Sequence, residues 1–221
     1  ALDPELLGRV FENLLAAYNP ETGTTARKQT GSFYTPREIV NYMVDESLVA
    51  YLSAALIPVS DFPSPIGVEQ GPGLRADNEA RLRGLVAYNN EPHGFSRSEV
   101  ARLIEAIDAC KILDPACGSG AFPMGVLQKL VHVLHKLDRH NGQWKERQIA
   151  KVDAAIRAAE AIDDSDRRDQ SIAGLEDQKR EIKIAFERNE LDYGRKLFLI
   201  ENCIYGVDIQ PIAVQIAKLR C

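Results

Sequence analysis

The chain has few of the residues that mark a secreted, metal-binding or membrane-spanning protein. Its 221 residues include only four cysteines, one tryptophan and two methionines. The cysteines (Cys110, Cys117, Cys203 and Cys221) form no CxxC pair, and the four histidines complete no zinc-ligand spacing with them. We therefore expect free thiols, a cytoplasmic location and no metal site. No apolar run is long enough to span a bilayer and no signal-peptide pattern opens the chain, so we expect no membrane partner.

An excess of positive charge is also lacking. The chain has 27 lysines and arginines against 32 aspartates and glutamates, a net charge of −5. It is therefore not, as a whole, a basic clamp for nucleic acid. Hydrophobic residues make up 45% and charged residues 27%, which is typical of a folded globular protein. The chain begins at Ala1 and stops at Cys221 within an apolar, helix-like run, so we interpret it as a fragment of a longer protein.

The pattern along the chain predicts five segments. A composition rich in proline and glycine marks the second of them, and it contains one short helix, Asp77–Tyr88. The fourth has two apolar stripes in a strongly charged stretch, which predicts an antiparallel helical hairpin. In order, the segments are N-terminal helices (1–56), an irregular insertion followed by a helix (57–110), a strand, loop and helix (111–142), the hairpin (143–200), and a second strand with the start of another helix (201–221).

Two helix starts are predicted by capping patterns. Thr35 has the character of an N-cap, with Pro36 as the first helical residue and Glu38 as the reciprocal partner of a capping box. Ser96 and Glu99 have the same spacing before an apolar-periodic stretch, so a second helix is expected to begin there.

The most informative local pattern is a strand, a glycine-rich loop and a helix. Lys111–Asp114 is a short apolar strand that ends in an acid, and Gly118 and Gly120 follow it. A second strand, Cys203–Asp208, also ends in an acid. A glycine-rich loop lets backbone N–H groups approach a ligand, and an acid after the next strand can accept the hydroxyls of a ribose. The pattern indicates a nucleoside-containing ligand, although a purely structural turn is an alternative.

The choice of nucleoside depends on charge and spacing. A dinucleotide fingerprint needs a third glycine where this chain has Pro123, and an acid about 20 residues further on at a strand end. The acid that ends the second strand, Asp208, lies much further along the chain. Asp114 would repel a pyrophosphate but suits an ammonium group. These features favour S-adenosylmethionine, which has an amine, a carboxylate and an adenosine, over the nicotinamide cofactor of an oxidoreductase.

Three motifs and their order resemble those of the N6-adenine DNA methyltransferases. Asp114–Phe122 (DPACGSGAF) resembles motif I, Gly31–Pro36 (GSFYTP) resembles motif X, and Gly206–Ile209 (GVDI) resembles motif II. The opening Leu2–Glu12 resembles the large methylases of restriction-modification and phage-defence systems, including fused restriction–methylation enzymes and BREX-type methylases. The resemblance spans Leu2–Arg220, interrupted by two variable insertions.

This resemblance implies a fold and a cofactor site. The expected fold is α/β, a partial Rossmann-like methyltransferase core preceded by helices and interrupted by the inserted helical hairpin. The expected cofactor is S-adenosyl-L-methionine. The residues implied to bind it are Phe33, Tyr34, Thr35, Pro36, Asp114, Ala116, Cys117, Gly118, Gly120, Asp208 and Ile209.

Each part of the cofactor has an implied partner. Asp114 and the backbone at 116–118 would hold the methionine part, and Thr35 with the following helix start would bind its carboxylate. Asp208 would accept hydrogen bonds from the ribose hydroxyls, and Ile209 would pack on the adenine.

The family's catalytic loop, of the Asn-Pro-Pro-Tyr type, does not occur in these 221 residues. The chain is therefore expected to supply the cofactor half of an enzyme that methylates adenine N6 in DNA, with no catalytic residue of its own. Double-stranded DNA would contact other parts of the protein, and restriction or specificity subunits or domains are expected partners. Three alternatives remain: a methyltransferase acting on protein glutamine or on RNA, a nicotinamide-dependent oxidoreductase, and a non-enzymatic module whose charged hairpin docks a partner.

Overall fold

The computed structural model describes residues 10, 13, 18–19, 24–25, 35–57, 72–187 and 191–220. Apart from Val10 and Asn13, the predicted first helix lies outside these residues, as do Phe33, Tyr34 and Cys221.

The described elements are mostly helices, with two pairs of short strands. Strands β1 (Tyr18–Asn19) and β2 (Thr24–Thr25) pair antiparallel near the N-terminus. The elements that follow are α1 (Arg37–Ala55), α2 (Pro72–Val86), α3 (Arg97–Ala109), β3 (Ile112–Asp114), α4 (Ala121–Leu137), α5 (Gly142–Ala159), α6 (Ser165–Glu187), α7 (Leu191–Asn202), β4 (Ile204–Gly206) and α8 (Pro211–Arg220).

The core lies between α1, α2, α3, α4 and α7. These helices present aliphatic side chains to one another at helical spacing, and burial of that surface drives their association. The fully buried aliphatic side chains are Val44, Leu52, Leu82, Leu85, Leu103, Ile104, Ile107, Leu130, Val133, Leu134 and Leu199.

The start of α1 differs from its prediction. Pro36, not Thr35, is the N-cap, and the helix begins at Arg37 without a side-chain cap. Pro36 has φ −56° and ψ 143°, which is extended backbone, so it cannot be the first helical residue. Its carbonyl oxygen accepts from the N–H groups of Ile39 and Val40. The predicted capping box at Thr35 is therefore wrong.

The second capping box is confirmed. The Ser96 hydroxyl accepts from the Glu99 N–H at 3.4 Å, and the Glu99 carboxylate accepts from the Ser96 N–H at 2.7 Å. Arg81 of α2 also contacts this carboxylate, with N–O distances of 3.0 and 3.1 Å. The box therefore fixes the start of α3 and ties it to α2.

Helix α2 begins earlier than the predicted Asp77–Tyr88. It starts at Pro72, a residue that suits a first helical position because it lacks an N–H to satisfy. Its C-terminal carbonyls are bound by cations of α4: Lys129 donates to Val86 at 2.9 Å, and Lys136 donates to Gly84 at 3.0 Å. Positive charge at this end complements the helix dipole and holds α2 against α4.

Strands β3 and β4 are parallel neighbours, with Ile112 opposite Ile204 and Asp114 opposite Gly206. The isoleucines pack against the core. The alternate residues of the pair, Leu113 and Tyr205, are exposed, so this short sheet presents an apolar face.

Where the sequence predicts a hairpin, α5 and α6 are joined by a short turn and linked by an ion pair between Asp153 and Lys179. A third helix, α7, lies in the same stretch. Its Arg195 is 4% exposed and pairs with Asp138, at the end of α4, at 3.5 Å. Burial lowers the pKa of Arg195, and Asp138 opposes that shift. This pair joins α7 to the junction between α4 and α5.

Cys110, Cys117 and Cys203 are buried, and they form no disulfide bond within the described ranges. None of the helices in the described ranges is long and apolar enough to cross a membrane.

Candidate cofactor site

The two predicted acids lie at the same end of two adjacent strands. Asp114 is the last residue of β3, and Asp208 follows β4 by two residues. The pairing continues past the strands, because Val207 N–H donates to the Asp114 carbonyl and Cys117 N–H donates to the Val207 carbonyl, both at 2.9 Å. The carboxyl ends of parallel strands are where open α/β sheets bind ligands.

The loop after β3 is held in shape by hydrogen bonds between its own residues. The Ala116 N–H donates to Asp114 Oδ1 at 3.1 Å, and the Gly120 N–H donates to the Cys117 carbonyl at 2.8 Å, which closes a tight turn. Gly118 and Gly120 have φ values of 53° and 85°. Side chains with a Cβ rarely adopt these angles, so the glycines set the shape of the turn.

The Asp208 carboxylate is held by two backbone N–H groups. Its Oδ2 accepts from Gly118 at 2.8 Å, and its Oδ1 accepts from Gln210 at 2.8 Å. Each carboxylate oxygen has two lone pairs, so each retains an acceptor position for a ligand. The side chain is half-buried and has one fixed orientation, as an acceptor of ribose hydroxyls requires.

Asp114 has a different environment. Its Oδ1 accepts the Ala116 N–H, while no residue of the described ranges donates to its Oδ2. The side chain is half-buried. A half-buried carboxylate oxygen without a protein donor fits a ligand ammonium group, because a cation would compensate its charge.

Close packing surrounds the loop. A Cβ on Gly206 would lie 3.1 Å from both Cβ and Sγ of Cys117, so the buried Cys117 side chain packs on β4. A Cβ on Gly120 would lie 3.0 Å from Cβ of Ala217 in α8. Cys117 and Gly120 therefore face protein, and any contact that they make with a ligand would use their backbone. Ala116 is exposed beside them.

Ile209 is 85% exposed in the described part of the chain. It adjoins Asp208 in the sequence, so an apolar surface and a hydrogen-bond acceptor occupy neighbouring positions after β4. An adenosine needs this combination, since it has an apolar base and a ribose with two hydroxyls.

The remaining predicted residues lie before α1. Thr35 and Pro36 are exposed. A Cβ on Gly125 of α4 would lie only 2.5 Å from Cγ1 of Val40, so the first turn of α1 packs closely on the start of α4. This contact places the first turn of α1 beside the first turns of α4.

Sequence reasoning did not single out Ser119 or Arg220. Arg220 Nη1 donates to the Ser119 carbonyl at 2.8 Å and contacts its Oγ at 3.3 Å. In α8, Leu219 is 77% exposed, whereas Ala213, Ala217 and Arg220 are buried. These three buried residues are spaced four and three apart, so they lie on one face of the helix. In the sequence, the only sign that this face is closely packed is that two of its residues are alanines.

A cavity of about 500 Å³ lies beside the loop, between α7 and α8. Cys117, Gly206, Ile200 and Val214 contribute to its walls, but Asp114 and Asp208 do not. The cavity and the pair of acids are therefore separate features. Among the described residues, no group of three or more His, Cys, Asp and Glu side chains could hold a metal ion.

In comparisons with known proteins, no family model matches the chain and no solved structure matches it. The chain is 27% identical over 225 aligned residues to a protein of Methanocaldococcus jannaschii provisionally named as a type II restriction enzyme and methyltransferase. The alignment covers 99% of this chain but only 14% of that relative's length. The similarity supports a relationship to a restriction-modification methyltransferase.

Proposed function

We propose that this chain binds S-adenosyl-L-methionine and is the cofactor-binding part of a site-specific DNA methyltransferase in a restriction-modification or related defence system. The observation that carries the proposal is the hydrogen bond between the Gly118 N–H and Asp208. It joins the glycine-rich loop after one strand to the acid after the next. The curated relative, whose name combines restriction with methylation, supports the choice of system.

The contacts of the site suggest which residues would hold each part of the cofactor. Asp208 would accept the ribose hydroxyls with the lone pairs that Gly118 and Gln210 leave free. Ile209 would cover the adenine. Asp114 would hold the ammonium group through Oδ2. When bound, S-adenosylmethionine supplies an activated methyl group.

The loop and the segment before α1 would complete the site. Backbone groups of Ala116, Cys117 and Gly118 would line the methionine part, and Gly120 would keep the loop in shape. Thr35 and Pro36, with Phe33 and Tyr34 before them, would approach the carboxylate.

We further propose that β3 and β4 belong to a larger, Rossmann-like parallel sheet. Parallel strands are normally buried on both faces, yet Leu113 and Tyr205 are exposed on one face of this pair. An isolated two-stranded sheet is also too small to be stable by itself. Further elements of the natural polypeptide would cover the exposed face.

The proposed reaction is methyl transfer to adenine N6 in double-stranded DNA. The chain's negative net charge and the absence of an Asn-Pro-Pro-Tyr-type loop from its sequence support a role limited to cofactor binding. DNA contacts, catalysis and any restriction or specificity function would belong to other domains or subunits. The relative's much greater length is compatible with such an organisation.

Calorimetric titration of the chain with S-adenosylhomocysteine, and separately with NAD, tests the cofactor. We expect binding of S-adenosylhomocysteine and none of NAD. If the folded chain does not bind S-adenosylhomocysteine up to about 1 mM, a limit that corresponds to about −4 kcal/mol, the proposal is wrong. Preferential binding of NAD would instead indicate an oxidoreductase.

A methyl-transfer assay tests whether catalysis lies outside this chain and which substrate is methylated. The chain alone should transfer no methyl group to DNA, and measurable turnover would overturn the assignment of catalysis to other domains. The natural polypeptide that contains this chain should produce N6-methyladenine in duplex DNA. Exclusive labelling of RNA or of protein glutamine by that polypeptide would replace the proposed substrate.

A further inference from the structure

Arg220 is a buried arginine whose two oxygen contacts within the described residues both belong to Ser119 of the loop. It is 8% exposed, and its Nη1 donates to the carbonyl oxygen and contacts Oγ of Ser119. No carboxylate of the described residues forms an ion pair with it, and its buried Nε has no partner there. Burying an unpaired guanidinium costs free energy, so the contact with the loop must compensate part of that cost.

The same helix also touches the loop through Ala217. A Cβ on Gly120 would lie 3.0 Å from Cβ of Ala217, so the backbone of the loop rests directly on α8. Residues three apart lie on one face of a helix, and long side chains extend towards the helix N-terminus. Arg220 can therefore reach Ser119 across the face on which Ala217 supports Gly120.

Two anchors thus hold neighbouring residues of the loop from the two ends of α8. Asp208, before the helix, accepts the Gly118 N–H at 2.8 Å. Arg220, at the end of the helix, binds the Ser119 carbonyl at 2.8 Å. The peptide group that joins Gly118 to Ser119 lies between these two hydrogen bonds. The two contacts together therefore restrict the orientation of this peptide group.

We propose that Arg220 is a positioning residue that fixes the glycine-rich loop for cofactor binding. It acts through the Ser119 carbonyl and so maintains the Gly118–Asp208 hydrogen bond and the turn that Gly120 closes. The inference rests on the proposed function for its consequence, weaker cofactor binding, but the loop geometry can be measured without any cofactor.

Amide hydrogen exchange tests the geometry first. In Arg220→Met, the Gly118 and Gly120 amides should exchange at least about tenfold faster, because loss of a charge-assisted hydrogen bond is worth about this factor or more. Amides of the buried Leu130 turn in α4 should be unchanged. Lys218→Met, which removes an exposed cation from the same helix, is the matched control and should leave the loop amides unaltered.

The affinity for S-adenosylhomocysteine tests the consequence. Arg220→Met should weaken it about tenfold or more, and should weaken adenosine binding less, because adenosine lacks the part that the loop would hold. Arg220→Lys, which restores the charge with a single donor group, should recover part of the loss. General destabilisation would lower the melting temperature without changing the preference for S-adenosylhomocysteine over adenosine.

The outcomes separate the two proposals. Unchanged exchange of the Gly118 and Gly120 amides in a folded Arg220→Met protein would overturn the role of Arg220, whatever the wild type binds. A wild-type chain that fails to bind S-adenosylhomocysteine would overturn the proposed function, while the exchange result would still decide the positioning role. If Arg220→Met does not fold, the exchange measurement on Arg220→Gln decides by the same criterion.

Discussion

The Oδ2 atom of Asp208 lies 2.8 Å from the backbone nitrogen of Gly118, although the two residues are 90 positions apart in the chain. Four helices of the described ranges, α4 to α7, lie between them in the sequence. Their hydrogen bond exists because β3 and β4 are parallel neighbours, which brings the segments after both strands to one edge. The same carboxylate also accepts a hydrogen bond from the Gln210 N–H, just before α8. Asp208 is thus both a structural acceptor and the proposed ligand of the ribose.

Asp208→Asn should weaken S-adenosylhomocysteine binding by about tenfold or more, which corresponds to at least about 1.4 kcal/mol. An amide offers only one oxygen acceptor, and its NH₂ group would face one of the two N–H donors, Gly118 or Gln210. The free energy of unfolding should also fall, by about 1–3 kcal/mol. Calorimetry and urea denaturation measure the two effects. Asp163→Asn, in the exposed turn before α6, is the control, and an equal loss of affinity there would contradict the prediction.

Gly120→Ala should reduce the free energy of unfolding by about 1–3 kcal/mol, because Gly120 has a φ of 85° and its added Cβ would press on Ala217. Gly174→Ala in α6 is the matched substitution. Nothing lies within 4 Å of its added Cβ, and alanine in a helix is favoured over glycine by about 1 kcal/mol or less. Denaturation curves should move in opposite directions. A Gly120→Ala protein as stable as the wild type would show that the loop accommodates a side chain.

Asp138→Ala should destabilise the chain by about 3–5 kcal/mol, since it leaves the buried Arg195 without its carboxylate. Asp138 also accepts the N–H of Trp144 at the start of α5, at 3.1 Å, so the substitution removes a cap as well. Asp177→Ala provides a comparison at an exposed ion pair with Arg180, where the change should be within about 0.5 kcal/mol. Thermal and urea unfolding measure both, and similar losses would argue that the Asp138 pair is not buried in solution.

Glu99 should make the stability of the chain depend on acid pH. Its pKa is lowered from 4.5 to about 2, first by the hydrogen bond from Arg81 and also by the Ser96 N–H. Because the folded-state pKa lies below the unfolded-state value, the stabilisation is complete above about pH 4.5 and is lost as the pH falls to about 2.

Glu99→Gln tests this dependence without removing the capping pattern, since glutamine can also occupy that position of a capping box. Unfolding curves measured between pH 5 and pH 2 should show a smaller pH dependence for the variant than for the wild type. Identical pH profiles would mean that Arg81 does not hold the carboxylate.

Local patterns were sufficient for several elements. The capping box at Ser96 and Glu99 depends on residues three apart, and so it could be predicted from the sequence and is confirmed. The strand that ends at Asp114, with its glycine-rich loop and helix, combines an apolar run with turn-forming glycines. At Thr35 the same kind of reasoning failed, because the backbone angle of Pro36 decides where the helix begins.

The sequence by itself therefore determined where β3, β4, α3 and α4 lie and which acids follow the two parallel strands, because these depend on neighbouring residues. Only the tertiary structure decided that Gly118 meets Asp208, that Arg220 rather than Leu219 is buried, and that Ala217 supports Gly120. These contacts join residues about 90 to 100 positions apart. They depend on the pairing of two strands and on the close packing of α8 against the loop, which no local periodicity encodes.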